Sequence, residues 1–182
     1  MAYPQPDVAM ASPPPARRVR RISIRRLTVA TIAAALLVGI AGLPTTASWP
    51  VGSRSSYISR GYSSGHRAAD LAASRGTRIV PIGSGRVVFA GWKSNCGGYQ
   101  VWISHGDNKY TAYYHMSREV VYKGKAVKRQ STTLGYIGTS GCATGPHVHV
   151  EVWKGFPWRS GSYRVNPWHY IDSGYYLPTR YR

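Results

Sequence analysis

From residue 78 onward the chain alternates short apolar runs with turn residues. Runs rich in Val, Ile, Tyr and Trp predict strands at 78–81, 85–91, 99–105, 110–115, 134–139 and 148–153. Gly83-Ser84-Gly85, Gly106-Asp107-Asn108 and Lys123-Gly124-Lys125 supply turns between them. No segment of this region carries the 3.6-residue period of an amphipathic helix of normal length. The pattern predicts an all-β domain, either a two-sheet antiparallel sandwich or a partly open barrel. After Trp153 the chain reads as aromatic loop, through Val165-Asn166-Pro167 to Tyr170-Ile171.

The sharpest alternation lies in Gly145-Pro146-His147-Val148-His149-Val150-Glu151. In a strand, Val148, Val150 and Val152 share one face, and His147, His149 and Glu151 share the other. The β-branched face predicts core. The opposite face presents two imidazoles on a rigid element, an arrangement suited to zinc. A surface strand can also carry His-x-His by chance, so the pair needs support from the rest of the chain.

Toward the N-terminus the pattern changes. Pro4, Pro6, Pro13, Pro14 and Pro15 exclude an ordered helix through the first stretch. Arg17, Arg18, Arg20, Arg21, Arg25 and Arg26 follow, and residues 27–43 are apolar apart from two threonines and two glycines. A basic region before a hydrophobic segment directs a chain to a membrane. Thr45-Thr46-Ala47 offers a signal-peptidase site, so 27–47 is read as a signal peptide, with a retained membrane anchor as the other option. Either way the basic residues 1–26 form a disordered cytoplasmic end, and the remainder is exported to the cell envelope or secreted. The paired arginines match a twin-arginine signal only weakly. Residues 48–64, rich in Ser, Gly, Arg and Tyr, are read as a linker leading into a domain at 65–182.

The 182 residues carry a formal charge of +18. Asp7 is the one acid before residue 48, and eighteen bases and five acids, a net +13, remain from Ser48 on. So one-sided a charge favours polyanions: nucleic acid, anionic lipid or anionic wall polymer. No nucleic-acid-binding motif accompanies it. The two cysteines, Cys96 and Cys142, each sit in a glycine-rich loop. In an exported chain they predict one disulfide, worth roughly 3–4.5 kcal/mol in the chain-entropy account. The competing role for Cys142 is that of a metal ligand.

Acids are scarce, so each one counts. Asp70 follows His66 by four residues, a spacing that places both side chains on one face. His66, Asp70 and one histidine of the pair make a His₂Asp set, which leaves a fourth zinc position open, as catalytic sites do. An ordinary surface pair is the alternative. His115 and His105 each end a predicted strand, and spacing does not separate them. His169 falls in the tail with no evident role.

Taken in order, His66-x-x-x-Asp70, Gly76-Thr77, Gly85-x-Val87, Tyr113-x-His115, Gly135-x-Ile137-Gly138 and Thr144-Gly145-Pro146-His147-x-His149-x-Glu151 resemble the M23 family of zinc endopeptidases. These are the lysostaphin/LytM-like enzymes that cut peptide cross-bridges of bacterial cell walls. The resemblance covers about 65–171. It implies long loops around a groove, a Zn2+ held by His66, Asp70 and His149, and His115 and His147 as catalytic histidines that are not ligands. It further implies hydrolysis of peptidoglycan cross-links through a zinc-activated water, whose pKa falls toward about 7. One of the two histidines accepts a proton and the other donates, in an order the residues do not assign. The family usually has Gly where this chain has Ala68, which brings an extra methyl near the metal. Glu151 is either an orienting partner for an imidazole or a surface residue. No His-Glu-x-x-His helix is present.

The implied partners are bacterial peptidoglycan and, through the positive charge, anionic wall polymers. Nucleic acid is not a specific partner, and a membrane is met only through the N-terminal segment if it is uncleaved. Tyr and Trp, far in excess of Phe, suit a groove for peptide and sugar, or else the core. The alternative function is a catalytically inactive relative that binds wall or activates an amidase. That reading expects lost ligands, and this chain keeps them all. A basic polyanion-binding module with an incidental metal site is the third.

Overall fold

In the computed structural model, residues 48–171 are described. The expected basic region at 1–26 and the signal or anchor segment at 27–47 lie outside these residues. No helix among the described residues is long and apolar enough to cross a membrane.

Among the described residues, ten strands form one hydrogen-bonded antiparallel sheet: β1 (Tyr57–Arg60), β2 (Ala69–Ala72), β3 (Arg78–Ile79), β4 (Gly85–Lys93), β5 (Gly98–Ser104), β6 (Lys109–Glu119), β7 (Ala126–Val127), β8 (Gly135–Ile137), β9 (His147–Lys154) and β10 (Tyr163–Val165). The main path runs β1-β2-β9-β6-β5-β4-β7. Strand β10 pairs with the far end of β9, and β3 pairs with β8, which joins β6. Of the two architectures the pattern left open, the sheet takes the unclosed one, with β1 and β7 ending the main path. A 3-10 turn at Pro167–His169 is the one helical element among the described residues.

The six expected strands are present, with β4 and β6 running longer than their apolar runs. The stretch 48–64, expected to be a linker, instead packs into the fold. Trp49 and Val51 are buried in the core, the Trp49 indole donates to Ser56 Oγ at 2.8 Å, and β1 pairs with β2. Its serines and glycines hid a short Trp-Pro-Val plug.

The two faces of the central strands divide as alternation requires. Val148, Val150 and Val152 of β9 are fully buried with Leu71, Val101, Ile103, Tyr113 and Ile137. Each such side chain contributes roughly 1.5–3 kcal/mol of burial. On the opposite face Trp102, Ala112, Tyr114 and Trp153 form a smaller aromatic cluster. His147, His149 and Glu151 share the parity of Trp153, so the polar face of β9 lies beside these rings. Strand β6 changes partner here. Tyr114 is its last residue opposite β9, and Met116 its first opposite β8. Between them His115 takes φ +63°, a conformation that is unusual for a residue with a branched or bulky side chain.

Candidate metal centre

Register assembles the centre. Asp70 of β2 stands directly opposite His149 of β9, which stands opposite Tyr114 of β6. His66 enters from the turn before β2, where it exchanges backbone hydrogen bonds with Ser63. Its Nδ1 lies 2.8 Å from the Gly61 carbonyl. A carbonyl only accepts, so Nδ1 carries a proton and Nε2 is the nitrogen left to face Asp70. That Nε2 lies 3.1 Å from Asp70 Oδ2, yet is buried without a hydrogen-bond partner. Across the carboxylate, His149 Nδ1 donates to Asp70 Oδ1 at 2.7 Å.

The donor atoms of His66, Asp70 and His149 all lie within 4.8 Å of one another. Two imidazole nitrogens and a carboxylate oxygen are a donor set suited to zinc. The orphaned Nε2 of His66 is the atom a metal would satisfy, so the residues fit such an ion. Ala68 is fully buried.

The charges follow from this packing. Burial raises the Asp70 carboxyl, but the His149 hydrogen bond and the nearby His149, His66 and His147 hold it below its ordinary value. For His149 burial lowers the pKa, and the hydrogen bonds to Asp70 and Glu151 overcome this, raising it to about 9. The metal-free chain therefore holds His149 as imidazolium at pH 7. Two results follow. Zinc binding at pH 7 is expected to release about one proton from His149, since a ligand must be deprotonated. Calorimetry in buffers of different ionisation enthalpy measures it, and no buffer dependence would refute it. The metal-free chain also gains stability from this raised pKa, fully present below about 6.5 and lost as pH rises through about 9.

Glu151 is 2% exposed and orients the far side of His149. Its Oε2 accepts from the Tyr114 hydroxyl at 2.5 Å and the Trp153 indole at 2.8 Å. Its Oε1 accepts from Arg164 at 2.9 Å and lies 3.5 Å from His149 Nε2. Burial raises this carboxyl, and these partners, His149 first, bring it below its ordinary value. Of the two roles the sequence left open, the orienting one matches this environment. Replacing Glu151 by Gln puts an amide N–H against one set of donors. The expected cost is about 1–3 kcal/mol of stability, read by denaturant unfolding. An unchanged midpoint would show that the network carries no net stability.

His115 and His147 stand beside these donors. Their ring centroids are 4.8 Å apart, and His115 is 5.8 Å from the His149 ring. His115 Nδ1 donates to the Ser140 carbonyl at 2.8 Å and His147 Nδ1 to the Gly145 carbonyl at 2.9 Å. In both rings Nε2 is left as the nitrogen free for proton exchange. Burial, with the neighbouring His147 and His149, lowers the His115 pKa to about 4. It is thus a neutral imidazole at pH 7.

The remaining candidates fall elsewhere. His105 is held at both nitrogens, by Ser84 O and Thr111 Oγ1, each at 2.8 Å. His169 lies in the 3-10 turn. Cys142 is bonded to Cys96 and so is not a metal ligand. Sequence reasoning missed the structural importance of Tyr114. Its signal was its strand parity with Ala112, which pairs with Glu151. A cavity of about 500 Å³, lined by Trp92, Lys93, Ser94, Asn95, Trp102 and Trp158, includes none of the donor residues in its wall. The Trp158 indole donates to the Tyr114 hydroxyl at 3.1 Å and so links the two.

The profile of peptidase family M23 matches residues 64–167. A peptidoglycan DD-endopeptidase of Vibrio cholerae, ShyC, is 40% identical over 86 residues, which cover 47% of this chain and 19% of that protein. This chain therefore spans about a fifth of the length of such curated relatives. A mutant catalytic domain of the prophage-encoded M23 protein EnpA from Enterococcus faecalis superposes with a TM-score of 0.52 and 32% identity, over 70% of this chain and 90% of that one. A zinc containing peptidase from Vibrio cholerae superposes with a TM-score of 0.53 and 28% identity, over 59% and 37%.

Proposed function

The chain belongs to peptidase family M23, and on that premise we propose that it is a zinc-dependent endopeptidase hydrolysing the peptide cross-links of bacterial peptidoglycan. The observation that carries the reading is the convergence of the His66, Asp70 and His149 donors within 4.8 Å, with His115 and His147 alongside.

In this proposal His66 Nε2, Asp70 and His149 Nδ1 hold the ion. When bound, zinc supplies a Lewis acid that polarises the scissile carbonyl and acidifies water. The protein's own part is to place proton carriers. A carbonyl fixes Nδ1–H in both His115 and His147, which leaves Nε2 of each ring as the nitrogen that gains or gives the working proton. One takes a proton from the attacking water at Nε2 and becomes imidazolium; the other, when itself imidazolium, gives its Nε2 proton to the departing amine. Glu151 lies against the His149 ring at Nε2, on the side away from the ion, so the ring's orientation is set before substrate arrives. The indole-lined cavity beside Tyr114 gives peptide and sugar an apolar wall with polar edges. Export by way of residues 1–47 belongs to the same proposal. So does retention on anionic wall polymers through the net +13 charge from Ser48 on.

The test is incubation of the full chain with purified cross-linked peptidoglycan, with mass spectrometry of released peptides, with and without chelator. New amino termini that vanish with chelator and return with zinc support the reading. Their absence from several wall chemistries, with zinc bound, refutes it.

A further inference from the structure

Two loops that belong to different parts of the sheet meet at His115. The backbone N–H of His115 donates to Gly97 O at 2.9 Å, and its Nδ1 donates to Ser140 O at 2.8 Å. Gly97 directly follows Cys96, and Ser140 stands two residues before Cys142. These cysteines form a disulfide, and the Cys142 N–H donates to Cys96 O at 2.9 Å. The loops also interlock. The Tyr99 N–H donates to Ser140 Oγ at 3.0 Å, and that hydroxyl donates to Met116 O at 2.7 Å. A Cβ on Gly98 would lie 2.3 Å from Ser140 Oγ, and one on Gly141 only 2.1 Å from Cys96 O. Only glycine lets the backbones approach this closely. Four residues at this junction have positive φ: Cys96 (66°), Gly98 (62°), His115 (63°) and Gly141 (73°). Non-glycine residues keep such a conformation when their surroundings over-determine it.

We propose that the Cys96–Cys142 disulfide is a positioning device for His115. It joins the two loops whose carbonyls hold that residue by its backbone and by its ring. Through them it fixes the Nδ1–H tautomer and leaves Nε2 as the proton-accepting nitrogen next to His147. The inference rests on the peptidase reading for the role of His115, but the hold on the ring does not. His66 and Asp70 lie at and before β2, and His149 in β9, so none of the metal donors belongs to either loop. Opening the disulfide is therefore a loss of catalytic geometry with the metal donors left in place.

The test compares the full chain in oxidised form, after trialkylphosphine reduction with alkylation of both thiols, and as the Cys96→Ala/Cys142→Ala variant. Zinc content, kcat and KM on a soluble cross-linked muropeptide, and the imidazole 15N spectrum are read well below each melting transition. His115 is assigned by its absence in His115→Gln. The expected result is unchanged zinc content, KM within about twofold, and kcat lower by roughly 10–100-fold, the scale of a small misplacement at a reacting centre. The His115 signals are expected to shift from a single Nδ1–H tautomer to an average of both. Unchanged kcat and tautomer without the disulfide would overturn the proposal. Loss of zinc and kcat in equal proportion would too, since it marks a general structural role. If the oxidised chain hydrolyses nothing, the peptidase reading fails separately, and the ring spectrum alone decides whether the disulfide holds His115.

Discussion

Replacing His149 by alanine is expected to reduce kcat/KM on cross-linked peptidoglycan by roughly 10³–10⁴-fold, the equivalent of several kcal/mol of Lewis-acid stabilisation. Three consequences of the geometry combine. One of three clustered donors is removed, so zinc content falls at ordinary zinc concentrations. Asp70 loses the cation 2.7 Å away that holds its pKa down. Glu151 loses one neighbour but keeps Tyr114, Trp153 and Arg164. The aromatic cluster around Glu151 is therefore expected to stay folded, and near-ultraviolet circular dichroism checks that. Excess zinc should restore part of the metal content and little of the activity. Full activity in the metal-depleted variant would remove His149 from the proposed centre.

The second large effect is expected at His115. Alanine there should lower kcat by roughly 10²–10⁴-fold, the usual worth of a positioned proton carrier, with zinc content unchanged. The backbone provides an independent check. His115 sits at φ +63°, where a Cβ costs roughly 1–2 kcal/mol relative to glycine. His115→Gly should therefore be more stable than His115→Ala by about 1 kcal/mol, although both lose the same ring. Chemical denaturation of the two variants reads this difference. Equal stability would mean that the backbone at this position is not constrained to the left-handed region. Activity near wild type in either variant would remove His115 from the proton-transfer role.

The parts of this site that were legible in the sequence are those that use side-chain pattern. The alternation of β9 set Val148, Val150 and Val152 against His147, His149 and Glu151, because a strand has no other way to arrange them. The disulfide was legible from two cysteines in an exported-looking chain. Residue type and spacing suggested joining His66 and Asp70 to one histidine of that strand, with an ordinary surface pair as the alternative, and family resemblance chose His149. Physically it depends on the β2–β9 register, a pairing between segments 79 residues apart that no local pattern encodes. Least legible were the carbonyls of Gly61, Ser140 and Gly145, which face Nδ1 of His66, His115 and His147, and that of Gly97, which holds the His115 backbone. A backbone carbonyl is present at every position, so its use leaves no mark on residue identity. Trp49 and Val51 were missed because their neighbours have the composition of a linker.

The pairing of β2 with β9 also bears on the order of events in time. Hairpins such as β4–β5 and β5–β6 close short loops, whereas β2 must wait for most of the chain before it meets β9. Closing so long a loop costs entropy before any contact repays it. The three donors are therefore expected to come together late, and until then the chain offers an ion the local His66–Asp70 pair without His149. Zinc bound to a contact that forms after the main barrier is expected to prolong the life of the folded state far more than it hastens its formation.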